Sequence, residues 1–289
     1  MTDREAILED GEIESLVAPL VEAMSRTHRL VALTGAGIST ESGIPDYRGP
    51  QGMWAKHTPI YFADYVRNPA VRRRYWARSL NGYSRFRDAQ PNRGHIALAE
   101  MERAGRLHYL ITQNVDRLHI KAGSQRVVEL HGENSTVQCI SCDFNEPRHE
   151  TQKRLEWDNR HLRLPADEVG DGEGVIVPAC PRCGGWLKPA VVFFGEQVPA
   201  DKTERAMQAV AECDALLVVG SSLTVWSGYR LARTVSQGGK PLYILNMGPT
   251  RADAEATLKV EAPAGEALSL IARELGGISP QRERENAQA

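Results

Sequence analysis

No apolar run in this 289-residue sequence approaches the roughly 20 residues needed to cross a bilayer. The start, MTDREAILEDGEIE, lacks the apolar core of a secretory signal and the basic character of a transit peptide. An excess of charge is missing too. The 35 Lys and Arg against 37 Asp and Glu leave a net charge of −2, which offers no general attraction to nucleic acid or to an anionic membrane. Cysteine is scarce, at five, and no internal repeat is visible. These absences set the expectation of a cytoplasmic, monomeric protein with no nucleic-acid and no membrane partner. What remains, 42% apolar and 25% charged residues, is the composition of an ordinary globular domain with a substantial core.

Four of the five cysteines form two pairs, Cys139-Ile-Ser-Cys142 and Cys180-Pro-Arg-Cys183. Thiolates at this spacing hold two corners of a tetrahedron each, so the four together read as a structural zinc site with no open position for a water ligand. The interval 143–179 is longer than the roughly 15–20 residues usual in a zinc ribbon. Its middle, LEWDNRHLRLPADEVGDGEG, is charged, and 139–188 reads as an inserted small module. Cys213, at the edge of an apolar segment, reads as a small buried residue.

Short apolar runs predict buried parallel strands at RLVALT (29–34), LHYLIT (107–112), VVEL (127–130), ALLVVGS (215–221) and PLYILN (241–246). Helical spacing of apolar residues covers 91–105, 201–212, 227–239 and 264–275. Alternation of the two predicts an α/β fold, a Rossmann-like doubly wound parallel sheet. This domain takes 25–138 and 189–276, interrupted by the zinc module and by a helical insertion at about 50–90. Residues 1–24 are left as an N-terminal extension, and the tail 277–289 reads as disordered.

Ligands of such sheets bind beyond the carboxyl ends of the strands. Polar residues and glycines collect there: Gly35 and Gly37, Gln113-Asn114-Val115-Asp116, His131-Gly132, Gly220-Ser221-Ser222 and Asn246. Gly35 and Gly37 would let backbone N–H groups approach phosphates. The third glycine of G-x-G-x-x-G is absent, because position 40 is Thr, and no clear acidic residue stands about 20 residues on. A hydride-transferring dehydrogenase therefore fits poorly. His131, following VVEL, is placed to act as a general base in its neutral form.

Taken in order, GAGIS with SGIPDYR, QNVD, HG, the paired C-x2-C, KPAVVFFGE, GSSL and ILN resemble the sirtuins, the NAD-dependent protein deacylases, from about residue 25 to 275. STESGIPDYR, RYWAR, WLKPAVVFFGE, SGYR and ILNMGPTR are most similar to the class II members. The resemblance implies that NAD is consumed as a co-substrate, giving nicotinamide, O-acyl-ADP-ribose and free lysine. It implies His131 as the base, Asn114 orienting ribose and water, Asp116 holding the carboxamide, and Arg48 in the mobile loop. NAD contacts are implied for Gly35, Ala36, Gly37, Ile38, Ser39, Pro45, Asp46, Tyr47, Arg48, Gln113 and Val115. The same holds for Gly220, Ser221, Ser222, Asn246, Met247, Gly248 and Ala264.

Partners implied are acyl-lysine proteins or peptides. Val192 and Phe194 would form the acyl tunnel, with Gly195, Glu196 and Val225 pairing with the substrate backbone. Tyr75 and Arg78, three apart on a helix, match the Tyr-x-x-Arg spacing that class III members use for acidic acyl groups. The other reading of RRRYWAR is a solvated basic helix with its aromatics packed inward. Mono-ADP-ribosyl transfer and a non-catalytic zinc-ribbon binding protein stay open as alternative functions.

Overall fold

The computed structural model describes residues 10–49, 52–56, 58–162 and 172–276. The expected disordered tail and most of the acidic stretch between the cysteine pairs lie outside the described residues. In chain order the strands are β1 (Leu30–Thr34), β2 (Tyr109–Thr112), β3 (Val127–Glu129), β4 (Gly132–Cys139), β5 (Asn145–Pro147), β6 (Leu187–Val191), β7 (Ala215–Val219), β8 (Leu242–Leu245) and β9 (Leu258–Val260). The helices are α1 (Asp10–Ser25), α2 (Met53–Lys56), α3 (Phe62–Arg67), α4 (Pro69–Asp88), α5 (Arg93–Arg103), α6 (Leu118–Lys121), α7 (Arg148–Asp158), α8 (Ala200–Glu212), α9 (Trp226–Gln237) and α10 (Ala264–Glu274).

β1 is apolar along its length and wholly buried, as a strand covered on both faces must be. It sits at the centre of a six-stranded sheet of order β3-β2-β1-β7-β8-β9, in which every pair is parallel. From β1 the chain builds outward to β2 and β3, then returns to build β7, β8 and β9 on the other side. The order therefore reverses between β1 and β7, and a crevice opens past their carboxyl ends. One face of the sheet packs on α1, α5 and α10 through Ile13, Leu20, Leu98 and Leu268; the other packs on α8 and α9 through Ala206, Val210 and Leu231.

The five strands and four helices expected from the sequence are present. Residues 10–25, read only as part of an extension, form α1, and Ile13, Val17, Leu20 and Met24 join the main core. Pro19 lies inside this helix, where its missing N–H is normally disfavouring; tertiary burial of the apolar stripe outweighs it. A sixth strand, β9, completes the sheet edge.

A second, three-stranded antiparallel sheet, β5-β4-β6, forms the cysteine-bearing module with α7. Its core, Val137, Leu155, Val175 and Leu187, also takes in Trp76 and Ala77 of α4. The helical insertion comprises α2, α3 and α4. Asn68 caps α4 by accepting from the Ala70 amide at 2.9 Å, and Pro69 fits its first turn.

Because α1 supplies core rather than decoration, Leu20→Ala is expected to lower the unfolding free energy by about 2–5 kcal/mol. Urea denaturation reads this directly, and an unchanged midpoint would detach α1 from the core.

Candidate active site

The floor of the crevice is set by two glycines. Gly37 donates to the Gly220 carbonyl at 2.8 Å, and Gly35 donates to the Val219 carbonyl at 3.0 Å. A Cβ on Gly37 would lie 2.8 Å from the Gly220 Cα, and Gly220 itself adopts φ +58. The loop after β1 thus packs backbone to backbone on the end of β7. The N–H groups of Gly35 and Gly37 themselves are thereby spent inside the protein.

The QNVD segment leaves β2 directly into this crevice. The Asn114 side-chain amide donates to the Gly35 carbonyl and to Ser39 Oγ, each at 3.0 Å. Asp116 accepts from Ser39 Oγ at 2.8 Å and from the Leu118 amide at 2.9 Å. Burial raises its carboxyl above the usual range, and those two hydrogen bonds oppose the shift. Arg117, next in the chain, holds φ 64, a left-handed conformation uncommon outside glycine. Gln113 donates from Nε2 to Ser221 Oγ at 2.8 Å and so ties β2 to β7 across β1.

Beneath these groups lies a buried polar layer that sequence reasoning missed. Ser39 Oγ is 3.4 Å from His95 Nε2, and the rings of His95 and His119 stand 4.7 Å apart. His119 Nε2 reaches Thr34 Oγ1 at 2.9 Å. Burial lowers the His95 pKa to about 4 and pushes His119 well below its ordinary value, so both rings are neutral at neutral pH.

His131 projects where β3 ends. Gly132 follows with φ +83, and a Cβ there would come within 1.9 Å of the Ala190 carbonyl oxygen, so only glycine allows this turn into β4. His131 Nδ1 is 3.1 Å from the Gln113 carbonyl and Nε2 is 2.7 Å from Ser227 Oγ. Its pKa is lowered to about 4, first by burial, with the Lys202 charge adding and the Gln113 carbonyl opposing.

An apolar wall faces these groups. Val192 donates its amide to the His131 carbonyl at 2.8 Å, and Phe194 accepts from the Phe62 amide at 2.9 Å. Trp54 stands 5.2 Å from both Tyr47 and Phe194, with the Arg48 guanidinium 4.0 Å from its ring centre. Glu196 accepts from the Phe193 amide at 2.8 Å and pairs with buried Lys188 at 3.1 Å; Gly195 between them has φ +76. Trp54 and Lys188 were not among the residues picked from sequence, because neither sits in a strand-end block.

Other expected residues brace their own loops. Asp46 accepts from the Gly49 amide at 3.0 Å, closing the turn that follows Pro45. Asn246 donates to the Met247 and Gly248 carbonyls at 3.0 and 3.1 Å. Ser222 Oγ is 3.0 Å from Thr224 Oγ1. Ala264 opens α10, next to Gly265, whose amide donates to Glu41 at 2.9 Å. Ile38 is buried in the core, and Val115 uses its carbonyl to accept from the Asn134 amide. Val225 precedes the first turn of α9.

Tyr75 and Arg78 make different contacts. The Tyr75 ring lies 5.3 Å from Phe193, and burial raises its phenol to about 12. Arg78 Nη1 donates to the Thr58 carbonyl at 3.3 Å.

The four sulfurs of Cys139, Cys142, Cys180 and Cys183 lie within 4.8 Å of one another. Sγ–Sγ distances of 3.6 Å (Cys139–Cys183) and 3.8 Å (Cys142–Cys180) are far too long for disulfides. They match the edge of a tetrahedron with metal–sulfur bonds of about 2.3 Å. The Ser141 and Gly185 amides donate to the Cys139 and Cys183 sulfurs at 3.3 and 3.4 Å, as suits thiolates. The donor set fits a zinc ion. β4 runs from Gly132 beside His131 to Cys139, which separates the sulfurs from His131 by roughly 20 Å of extended strand.

The Sir2 family model matches residues 35–227. The NAD-dependent protein deacetylase of Xanthomonas campestris pv. campestris (strain 8004) is 48% identical, over 87% of this chain and 89% of its own. The Bos taurus protein named NAD-dependent protein lipoamidase sirtuin-4, mitochondrial, is also 48% identical, over 88% of this chain and 85% of its own. The solved structure "Sir2-p53 peptide-NAD+" superimposes with a TM-score of 0.75 at 33% identity, covering 91% of this chain and 99% of that one. With family model, relatives and fold in agreement, the chain belongs to the Sir2 family.

Proposed function

We propose that this protein is an NAD-dependent protein-lysine deacylase, in which His131 is the general base. The observation that carries the reading is the state of His131: half-buried, neutral, and with Nδ1 turned to the Gln113 carbonyl so that Nε2 is left as the acceptor, met here by the Ser227 hydroxyl. When bound, NAD supplies the ribosyl carbon that takes the acyl oxygen as nicotinamide departs. His131 then removes a proton from a hydroxyl at Nε2. Asn114 orients the reacting groups from the crevice floor, and Asp116 holds an amide partner. Arg48 and Tyr47 close from the loop after Pro45. The wall of Val192 and Phe194 admits an acylated lysine and rejects the free ammonium, whose desolvation is costly. Gly195, Glu196 and Val225 flank the entry and pair with the substrate backbone. The four cysteines hold one structural zinc that takes no part in the chemistry.

The names of two relatives, one a deacetylase and one a lipoamidase, support a deacylase reading without fixing the acyl group. Tyr75, packed against Phe193, and Arg78, bonded beside the Thr58–Tyr61 segment, flank the same wall and are the residues to set that preference.

Mass spectrometry of the protein with NAD and acetyl-, propionyl-, succinyl-, glutaryl- and lipoyl-lysine peptides should show nicotinamide release and an O-acyl-ADP-ribose with at least one peptide. His131→Ala should cut that turnover by at least about 100-fold. Intact NAD with every peptide would overturn the deacylase reading, and ADP-ribose on a protein acceptor would redirect it to ADP-ribosyl transfer. Arg78→Met should abolish any preference for the succinyl or glutaryl peptide; unchanged selectivity would remove Arg78 from acyl recognition. Metal analysis should give one zinc per chain, and Cys180→Ser should lose it together with an early thermal transition. A metal-free wild-type protein of unchanged melting temperature would refute the structural zinc.

A further inference from the structure

The two ring nitrogens of His131 are held from different elements. A carbonyl can only accept, so the contact with Gln113 puts the proton on Nδ1. In the neutral ring Nε2 is then an acceptor, and the group 2.7 Å from it is the Ser227 hydroxyl, which donates. Ser227 is the second residue of α9, so the start of that helix fixes its place. Tyr229 and Gly228 donate their amides to the Val225 carbonyl at 3.0 and 3.2 Å. Gly228 is seated so closely on Gln113 that a Cβ would stand 2.5 Å from its Oε1. Gln113 therefore holds the imidazole with its carbonyl and seats the turn carrying Ser227 with its side chain.

We propose that Ser227 is a positioning residue for the base. Its hydroxyl backs the Nδ1–H tautomer that the Gln113 carbonyl sets, holds the ring in place at Nε2 and favours the neutral ring. This rests on the reading of His131 as the base. A hydroxyl that donates to Nε2 stabilises the neutral form, because protonation there breaks the bond or forces the hydroxyl to turn. Burial acts in the same sense, as does Lys202 of α8, the charged group that faces the ring; the Gln113 carbonyl acts against them. Removing the donor must therefore raise the pH at which the ring takes up a proton. The lone pair that Ser227 occupies is also the one a substrate hydroxyl needs, so that hydroxyl exchanges with Ser227 at a ring already aimed.

The test uses the full chain labelled with ¹⁵N-histidine, with His131 assigned by its loss in His131→Ala, and needs no NAD. The wild-type ring should show the Nδ1–H tautomer and stay neutral well below the ordinary histidine range. In Ser227→Ala the titration midpoint should rise by at least about half a pH unit, with the Nδ1–H tautomer less exclusively populated. The acid limb of peptide turnover should move upward by the same amount. Ser227→Thr, which keeps the hydroxyl, should restore both. A midpoint and tautomer unmoved in the alanine variant overturn the proposal, as does a threonine variant that behaves like alanine. Failure of the base assignment is separate: it would appear as turnover surviving in His131→Ala, whatever the titration of Ser227→Ala shows.

Discussion

The geometry of the crevice depends on one backbone contact, that of Gly35 and Gly37 with Gly220 and Ser221. Strands β1 and β7 are neighbours, but their loops leave in opposite directions and would normally splay. Here they are drawn together until no side chain fits between them. Two consequences follow. The Gly35 carbonyl is presented to Asn114, and Ser221 is brought within reach of Gln113. Three strand ends are thereby cross-linked by side chains that belong to the candidate site itself. A larger residue at position 37 would not merely block a ligand; it would separate the two halves of the sheet at the point where they meet.

The electrostatics follow from the same closure. Asp116, His95 and His119 are buried, and His131 is half-buried, beside few compensating charges. Desolvation therefore dominates each titration, raising the carboxyl and lowering the imidazoles. A neutral imidazole at the crevice suits proton abstraction. Neutral rings beneath it can serve as hydrogen-bonding supports without placing a second positive charge near the reacting groups. The exposed ion pairs of the helical faces contribute little to this pattern, since solvent screens them.

Strand-end chemistry was legible in the sequence because it combines two strong signals: an apolar run that must be buried, and polar residues immediately after it. Gln113, Asn114, Asp116 and His131 all announce themselves in that way. The cysteine cluster was legible because ligand spacing is local. What escaped is what depends on long-range packing. Helix α1 carries Ile13, Val17, Leu20 and Met24 at helical spacing, but an acidic start and Pro19 obscure it, and only the tertiary core shows what the stripe is for. β9 is a three-residue edge strand with a lysine at its centre, too short to have a periodicity. His95 and His119 look like ordinary helix residues until the sheet brings Thr34 and Ser39 to them. Ser227 is one serine among many, 96 residues from the ring it touches. The packing role of Gly37 escaped for the same reason: only the folded chain shows how closely it lies on Gly220 at the end of β7.

The cysteine module is joined to the crevice by more than sequence. β4 and β6 form a single antiparallel pair with Gly132 opposite Val191 at one end and Cys139 opposite Leu187 at the other. His131 directly precedes the first end, and Val192 directly follows it, their backbones joined by one hydrogen bond. His131 and the apolar wall are thus the two emerging tails of one ribbon, while the sulfurs close its far end. The pairing slips between Gly132 and Val137, so the ribbon alone does not enforce its register. A metal joining Cys139 at the end of β4 to the Cys180–Cys183 turn that leads into β6 would limit sliding along the whole pair, and with it any drift of His131 relative to Val192. On this view the metal's contribution to the site is mechanical, carried along β4 from a cluster well removed from His131.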